Sequence, residues 1–375
     1  MGKGFYLTLL LGPGVPSPVS QSVLDALQSV QVTVASGTRS GFQLVFMLRT
    51  DSPLHTLFLL GGGGAIPIFR VVIIVTVNGQ TDVLMDGVVL NTRIAPGSDP
   101  AHATLTVTGE DLSAIMDLIE LNGLPFPAMP AEAAVGLILV KYAVLGIVPM
   151  VIPSILIDVP IPVFQIPAQQ GTDFKYVKYL ADRVGYAFYI EPGPQPMMNV
   201  AYWGPEIRVG VPQPALTTNM DAANNVDTLT FNYDSDQASL PIVMIQNQQT
   251  RAPIPIPIPP ITPLSPPLGL VPPIPKRISM IPGTARLNPV QAVVVGLTKA
   301  AKSNDVVNGS GTLNVVRYGR PLKARQLVGV RGVGPAFDGL YYVKNVTHNI
   351  KRGEYKQSFN LVRNALVSNV PAVPA

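Results

Sequence analysis

The sequence has no cysteine and few charges. Without cysteine there is no disulfide framework, no Cys-ligated zinc, no iron–sulfur cluster and no thiol nucleophile, while the redox compartment stays open. Charged residues fill 13% of the 375 positions, against about 25% in ordinary soluble domains. That scarcity excludes a charged disordered chain, and a coiled coil lacks its Ala/Glu/Lys/Leu/Arg bias. What is present is 47% hydrophobic residues, 39 Pro and 33 Gly. The length suggests two or three domains. So few charges do not clothe the surface of a lone soluble monomer, so a partner covers part of the apolar surface. Copies of the chain, another protein or a membrane would each serve.

The charges that exist are unevenly placed. From Lys276 to the end, 15 Lys or Arg stand against three acids, Asp305, Asp338 and Glu354; the preceding 275 residues hold 11 Lys or Arg against 19 acids. A basic face can bind nucleic acid or an acidic protein surface. No nucleic-acid motif accompanies this one, and charge pairing between domains or subunits is the simpler account.

Three apolar stretches are candidates for a membrane. Phe5–Leu11 is too short and runs into Gly-Pro-Gly-Val-Pro, not a cleavage site. Tyr6 stands where myristoylation needs Ser or Thr. Leu57–Val77 is broken by Gly61–Gly64, Pro67 and Arg70. Ala133–Ile157 is interrupted by Lys141, and Pro149 and Pro153 end its helical half. Neither a secretion signal nor integral membrane insertion is expected.

The first hundred residues carry strand signals. Val30, Val32 and Val34 alternate with polar positions. After Gly37–Gly41, Phe42, Leu44, Phe46 and Leu48 alternate again, as in a hairpin. Val71–Val77 runs into Asn78-Gly79, a strong two-residue turn; Met85–Arg93 and His102–Val107 continue the meander toward a closed barrel. The period then changes. Leu112, Ile115, Met116 and Ile119 share a helical face, with Glu110 and Asp111 in the first turn and Gly123 after the end. Ala131–Leu145 is a second helix, and prolines 149, 153, 160, 162 and 167 make the next stretch an extended connector. Thr172 caps a third helix with the stripe Phe174, Val177, Leu180, Ala181 and Val184, stopped by Gly185. Ala187–Ile190, Asn199–Tyr202 and Asp227–Tyr233 are strands. Residues 252–275 hold 11 prolines in 24 positions, which bars them from a central strand and favours polyproline II. They form either a rigid arm against a partner or a stiff loop. Asn288-Pro289 starts a fourth helix ending near Ser303. Asn308–Gly311 is a turn. Leu327–Arg331, Leu340–Val346 and Tyr355–Val362 are strands of a second, basic β module.

No chemical constellation stands out. His55 lies in a loop, and His102 and His348 lie in strand-like runs, where a hydrogen-bonded structural role is the default. There is no His-x-x-x-His pair, no Gly-x-Ser-x-Gly elbow and no Walker loop. Gly61–Gly64 lacks the Lys-Ser/Thr tail of a phosphate cradle. Asp234-Ser-Asp236 is a fragment of a calcium loop without its remaining ligands, and reads as a polar turn. Glu110 and Asp111 are better explained by a helix dipole than as an acid/base pair. Tyr202-Trp203 offers stacking on a sugar or base, or packing at a strand end. No catalytic, cofactor-binding or metal residue is assigned, and neither cofactor nor small-molecule substrate is expected.

Three pieces, in order, resemble one family. Gly334-Pro-Ala-Phe-Asp-Gly-Leu-Tyr-Tyr-Val-Lys-Asn-Val-Thr-His348, with Gly353-Glu-Tyr-Lys-Gln-Ser-Phe359 and Leu361-Val-Arg-Asn-Ala365, resembles the C-terminal signature of the phage late control protein D family. Thr172-Asp-Phe-Lys-Tyr-Val-Lys-Tyr-Leu-Ala-Asp-Arg-Val-Gly-Tyr186 is similar to its middle helix and strand, and Ala103-Thr-Leu-Thr-Val-Thr-Gly-Glu-Asp-Leu-Ser113 to the end of its first barrel. That family comprises the baseplate hub of contractile phage tails and related injection systems, and the hub part of the type VI secretion spike protein. The resemblance implies a homotrimer whose six barrels match a sixfold inner tube on one side and a threefold spike on the other. It implies binding to a separate spike protein, the inner tube protein and other baseplate proteins, after synthesis in the cytoplasm. The Pro-rich segment 252–275 departs from the family pattern; an oligosaccharide-binding barrel or β-helical needle is not expected within the sequence, so a spike is expected as a separate polypeptide, and no lysozyme-like domain is apparent. A peptidoglycan-hydrolysing component of the same particle, or a nucleic-acid-binding adaptor using the basic region, are the alternatives.

The expected fold is mainly β with α insertions (α+β), with two antiparallel β-barrel modules, a helical connector and a small α/β middle domain. The expected boundaries are 1–109 for the first barrel, 110–165 for the helical, Pro-rich connector and 166–218 for the middle domain. The second barrel spans 219–370, with a Pro-rich insertion at 251–277 and a helix at 288–303.

Overall fold

The computed structural model describes residues 4–49, 52, 54, 57–58, 68–96, 103–154, 166–246, 250, 252–259, 266–284, 289–303 and 305–370. His55, Gly61–Gly64, His102 and Asn288 fall outside them. The first part of the chain holds β1 (Phe5–Pro13), β2 (Ser17–Pro18), α1 (Gln21–Ala26), β3 (Leu27–Ala35), β4 (Gly41–Leu48), β5 (Phe69–Val77), β6 (Gln80–Pro96) and β7 (Ala103–Asp111). The middle holds a 3-10 turn (Leu112–Asp117), α2 (Ala131–Val140), β8 (Ile147–Val151), α3 (Asp173–Val184), β9 (Ala187–Pro192), β10 (Asn199–Gly204) and β11 (Gln213–Thr217). Then come β12 (Val226–Tyr233), β13 (Ser239–Gln246), β14 (Pro253–Pro257), β15 (Gly269–Val271), β16 (Arg277–Ile281) and α4 (Pro289–Ser303). The chain closes with β17 (Val307–Asn314), α5 (Val315–Tyr318), β18 (Leu327–Arg331), β19 (Gly339–Lys351), β20 (Glu354–Arg363) and β21 (Leu366–Ser368).

The local signals build the elements they predict. The alternating residues Val30, Val32, Phe42, Leu44, Phe46 and Leu48 are buried, and β3 pairs antiparallel with β4. Asn78 and Gly79 both take positive φ (52° and 84°), as the tight turn between β5 and β6 requires. The Thr172 hydroxyl accepts the Lys175 amide at 3.3 Å and starts α3, and Gly185 ends it in the left-handed region.

The two closed barrels do not form among the described residues. Both β modules instead belong to one thirteen-stranded sheet, whose main path runs β12-β17-β20-β19-β3-β4-β7-β6-β5-β1-β2. Strand β19 makes the junction. Its first half pairs with β18 (Leu327↔Tyr342) and its second half with β3 (Asn345↔Ala35 to Lys351↔Ser29). A register shift between Val343 and Asn345 marks the change of partner. The edge of β3 that would close the first module is thereby occupied, and β1 is bounded by β5 and β2 only. One apolar core runs beneath both modules, from Leu9 and Phe46 to Tyr341, Tyr355 and Phe359. A second core, with Trp203 at its centre, joins α2, α3 and the β8-β10-β9 sheet.

Four further expectations are corrected. Asn308–Gly311 is no turn but the middle of β17, paired on both edges. Its glycines are there for space: a Cβ on Gly309 would lie 2.6 Å from the Phe231 ring, and one on Gly311 2.7 Å from the Phe359 ring. The segment after β7 is a 3-10 turn, with Glu110 and Asp111 ending the strand before it and Ile119 beyond it, exposed. The second helix ends as an α-helix at Val140, not Leu145; a separate 3-10 turn follows at Ala143–Leu145, which Gly146 (φ 79°) ends in the left-handed region, where a Cβ would lie 2.0 Å from the Met197 carbonyl oxygen. The Pro-rich segment is not free polyproline: β14 pairs antiparallel with β13 as an edge strand. Only Ile254 and Ile256 have amides to give that ladder, so the backbone of Pro253, Pro255 and Pro257 is left on the outer edge.

Two glycines test this packing in opposite directions. Gly311→Ala also puts a methyl 2.4 Å from the Thr228 carbonyl, and should cost about 1–3 kcal/mol. Gly136→Ala, inside α2 with nothing within 4 Å, should stabilise by roughly 0.5–1 kcal/mol. Urea midpoints of the two variants should move to opposite sides of the wild type.

Candidate assembly interface

The residues with candidate chemistry have structural roles. His348 on β19 is buried, and its Nδ1 lies 2.7 Å from the Tyr355 hydroxyl and 3.2 Å from Gln357 Nε2. Both neighbours can donate, so Nδ1 is the acceptor. Burial holds the imidazole neutral, with its pKa lowered to about 3. Asp111 is the cap of the 3-10 turn, accepting the amides of Ser113 at 2.9 Å and Ser40 at 2.7 Å. Burial raises its pKa, and those hydrogen bonds oppose the shift. Glu110 instead pairs with Arg39 at 3.1 Å. Asp234 accepts the Asp236 amide in a short polar turn, and Lys276 reaches Asp236 at 3.1 Å. Tyr202 and Trp203 are buried: the Trp203 indole donates to the Val177 carbonyl, and the Tyr202 hydroxyl, pushed up to about 12 by burial, donates to the Pro205 carbonyl. Neither ring is open to a sugar or a base. Among the described residues no cluster of three or more His, Cys, Asp or Glu could hold a metal, and no helix is long and apolar enough to cross a membrane.

The polar residues that matter most to the architecture are four buried arginines. Arg70 on β5 forms a two-pronged pair with Asp86 on β6 (both contacts 2.6 Å). It also donates to the Leu145 carbonyl, while Asn199 of β10 donates to Asp86 at 2.8 Å. One ion pair therefore binds the first β module to the middle of the chain. Arg325 joins three parts. It donates to the Ala35 carbonyl at 2.9 Å, reaches Glu191 at 3.3 Å, and lies 3.7 Å over the Tyr189 ring. Arg208 is held on Asp305 and Glu206 and lies over Tyr342. Burial alone would lower its pKa, but these carboxylates hold it above the ordinary value. Arg363, fully buried, donates to the carbonyls of Ala336 and Asp338 at 2.6 and 2.9 Å and lies 4.5 Å over Tyr341. Arg70 was detectable as a lone cation inside an apolar run. Arg325, between Ala324 and Gln326, carried no such signal.

This frame fixes several surfaces relative to one another. A cleft of about 1750 Å³ opens where Phe5 and Leu7 of β1, Leu24 and Val30 meet the β19–β20 hairpin at Tyr355 and Lys356. Two apolar patches are also bare. One follows α2 into β8: Leu137, Val140, Val144, Val148 and Met150 are exposed. The other lies on the β14-β13-β16 sheet, at Ile278 and Met280.

The fold is shared along its whole length with tail proteins. The chain is similar to the tail protein of Neisseria meningitidis MC58, with a TM-score of 0.62 and 13% identity, over 97% of this chain and 98% of that one. It is similar to the 43 kDa tail protein of prophage MuSo2 from Shewanella oneidensis, with a TM-score of 0.60 and 12% identity, over 96% and 98%. It is also similar to the E. coli c3393 protein, a component of the type VI secretion system, with a TM-score of 0.51 and 12% identity, over 93% and 77%. At these identities the likeness is one of fold. No family model and no curated protein matches the sequence.

Two measurements test the frame. Asp86→Asn leaves the buried Arg70 guanidinium without its countercharge, and should lower the unfolding free energy by about 3–5 kcal/mol in urea titrations. For His348 the folded pKa (about 3) lies below the unfolded ~6.5. The unfolded chain alone therefore binds that proton as pH falls, and stability is lost between roughly pH 6.5 and 3. His348→Gln should flatten the stability–pH slope there by up to about 1.4 kcal/mol per pH unit.

Proposed function

We propose that three copies of this chain form the structural hub of a contractile tail or injection particle, adapting a sixfold inner tube to a threefold spike. The observation that carries this is the end-to-end likeness to two tail proteins, over 96–97% of this chain and 98% of each of them. Two β modules in each copy supply six in a trimer, the number a sixfold tube needs. The scarcity of charge and the bare apolar patches fit a chain that is buried among sister copies, since obligate interfaces are large and apolar.

Within each copy we assign 1–109 to the first β module, 110–165 to the connector, 166–218 to the middle domain and 219–370 to the second β module. The hub binds a separate spike protein, the inner tube protein and other baseplate proteins. It is made in the cytoplasm and then built into the particle. Its work is binding, and no catalytic, cofactor or metal residue is assigned. Light scattering or native mass spectrometry of the purified chain at micromolar concentration should give three copies; a stable, soluble monomer would overturn the proposal.

A further inference from the structure

Eight strands of the large sheet run in one unbroken series, β12-β17-β20-β19-β3-β4-β7-β6. One face of the series covers the main core. The other carries hydroxyls and amides that bond across strand boundaries: Thr33 with Thr347 at 3.2 Å, Gln31 with Asn349 at 3.1 Å and Thr228 with Thr312 at 2.8 Å. Among the described residues, each end of the series offers a strand edge that no other strand occupies. At one end β12 pairs with β17 alone. At the other, β6 pairs with β5 only as far as Val88, so residues 91–96 pair with β7 alone. Both edges reach solvent: Thr228, Thr230 and Asn232 are exposed on β12, and Asn91 and Arg93 on β6.

The chemistry of such an edge names its occupant. Unpaired N–H and C=O groups at strand spacing are matched by another strand. The two edges also fit each other in direction. Every neighbouring pair in the series is antiparallel. The number of strands is even, so β12 and β6 run in opposite senses. Rotation about an axis along the strands preserves the sense of each strand, and so brings β12 of one copy antiparallel to β6 of the next. The faces match as well. Thr228, Thr230 and Asn232 lie on the polar side of β12, opposite Thr312, Ser310 and Asn308, and Leu229 and Tyr233 lie on its core side. Asn91 and Arg93 stand on the polar side of β6, opposite Thr108 and Thr106, while Ile94 stands opposite the core residue Leu105. Ile94 is 44% exposed and Tyr233 39%, although both are on the core side of the sheet. A strand added at either edge covers them. Two unlike, complementary edges on one chain are what a head-to-tail ring contact requires.

We infer that β12 of one copy pairs antiparallel with the 91–96 half of β6 in the next, so that the copies share one continuous sheet. The inference rests on the trimer proposed above and assigns its contact. The test is disulfide crosslinking, which this chain suits because it has no cysteine of its own. Thr228→Cys, Thr230→Cys or Asn232→Cys is combined in one chain with Asn91→Cys, Arg93→Cys or Ala95→Cys. All six positions lie on the polar face, and facing residues of an antiparallel pair are close enough to be bridged. The grid of pairings spans the registers in which the two segments overlap. Circular dichroism and light scattering confirm that each variant keeps the wild-type fold and size. After oxidation with copper–phenanthroline, the pairing that matches the register should carry most of the chain into covalent trimers on a non-reducing gel. The six single-cysteine variants should stay uncrosslinked, because unlike edges meet. A wild-type trimer that no pairing of the grid crosslinks overturns the inference and leaves the trimer standing. Single-cysteine variants that link to themselves show like edges meeting across a twofold axis, and also overturn it. A monomeric wild type by light scattering overturns the trimer itself.

Discussion

The pairing of β19 with β3 is the constraint on which the rest of the molecule depends. Thirteen residues of one strand serve two partners in succession: β18 along the first half and β3 along the second. A strand edge has one set of hydrogen-bonding groups. Once β3 has given its edge to β19, the first module does not close on itself, and the two modules become one sheet over one core. The change of partner falls at the register shift near Lys344, whose carbonyl takes the Ser36 amide. That fusion brings Ala35, Glu191 and Arg325 within reach of one another, though they lie far apart in the chain.

Scarce charge makes each buried ion count. In a chain with so few ionisable groups, Arg70, Arg208, Arg325 and Arg363 are all withdrawn from water. Arg70, Arg208 and Arg325 are compensated by groups drawn from more than one segment, and Arg363 by carbonyls and a ring within residues 336–341. Buried pairs of this kind add little net stability over well-packed apolar groups, but they penalise any other arrangement of the same segments. They are suited to holding distant segments of the chain in fixed relation. The same scarcity leaves apolar side chains exposed on α2, β8 and β16.

How much of this was legible depended on the span of the signal. The β3–β4 hairpin, the Asn78-Gly79 turn and α3 with its Thr172 cap and Gly185 stop are each encoded within a few to about twenty neighbouring residues, and each formed. Asn308–Gly311 misled because glycine has two uses. Nothing nearby in the sequence says that Phe231 and Phe359 will lie against Gly309 and Gly311, and the turn signal prevailed. The Pro-rich segment was legible as no central strand, but its reading as an arm or stiff loop missed the edge pairing of β14, since the partner β13 was not evident. Arg70 stood out in the sequence as a lone cation inside an apolar run, whereas Arg325 carried no local signal.

The sequence by itself determined the mainly β character, the positions of α3 and α4 and the division of charge, because these depend on composition and on periodicities of two or about 3.6 residues. Only the tertiary structure decided that β19 crosses from one module to the other, that Arg70, Arg208 and Arg325 bind distant segments and which apolar faces stay bare. Gln31 and Asn349 share a hydrogen bond across 318 positions of sequence. Such a pairing is chosen by competition among all the strand edges of the folded chain, and no local pattern encodes it.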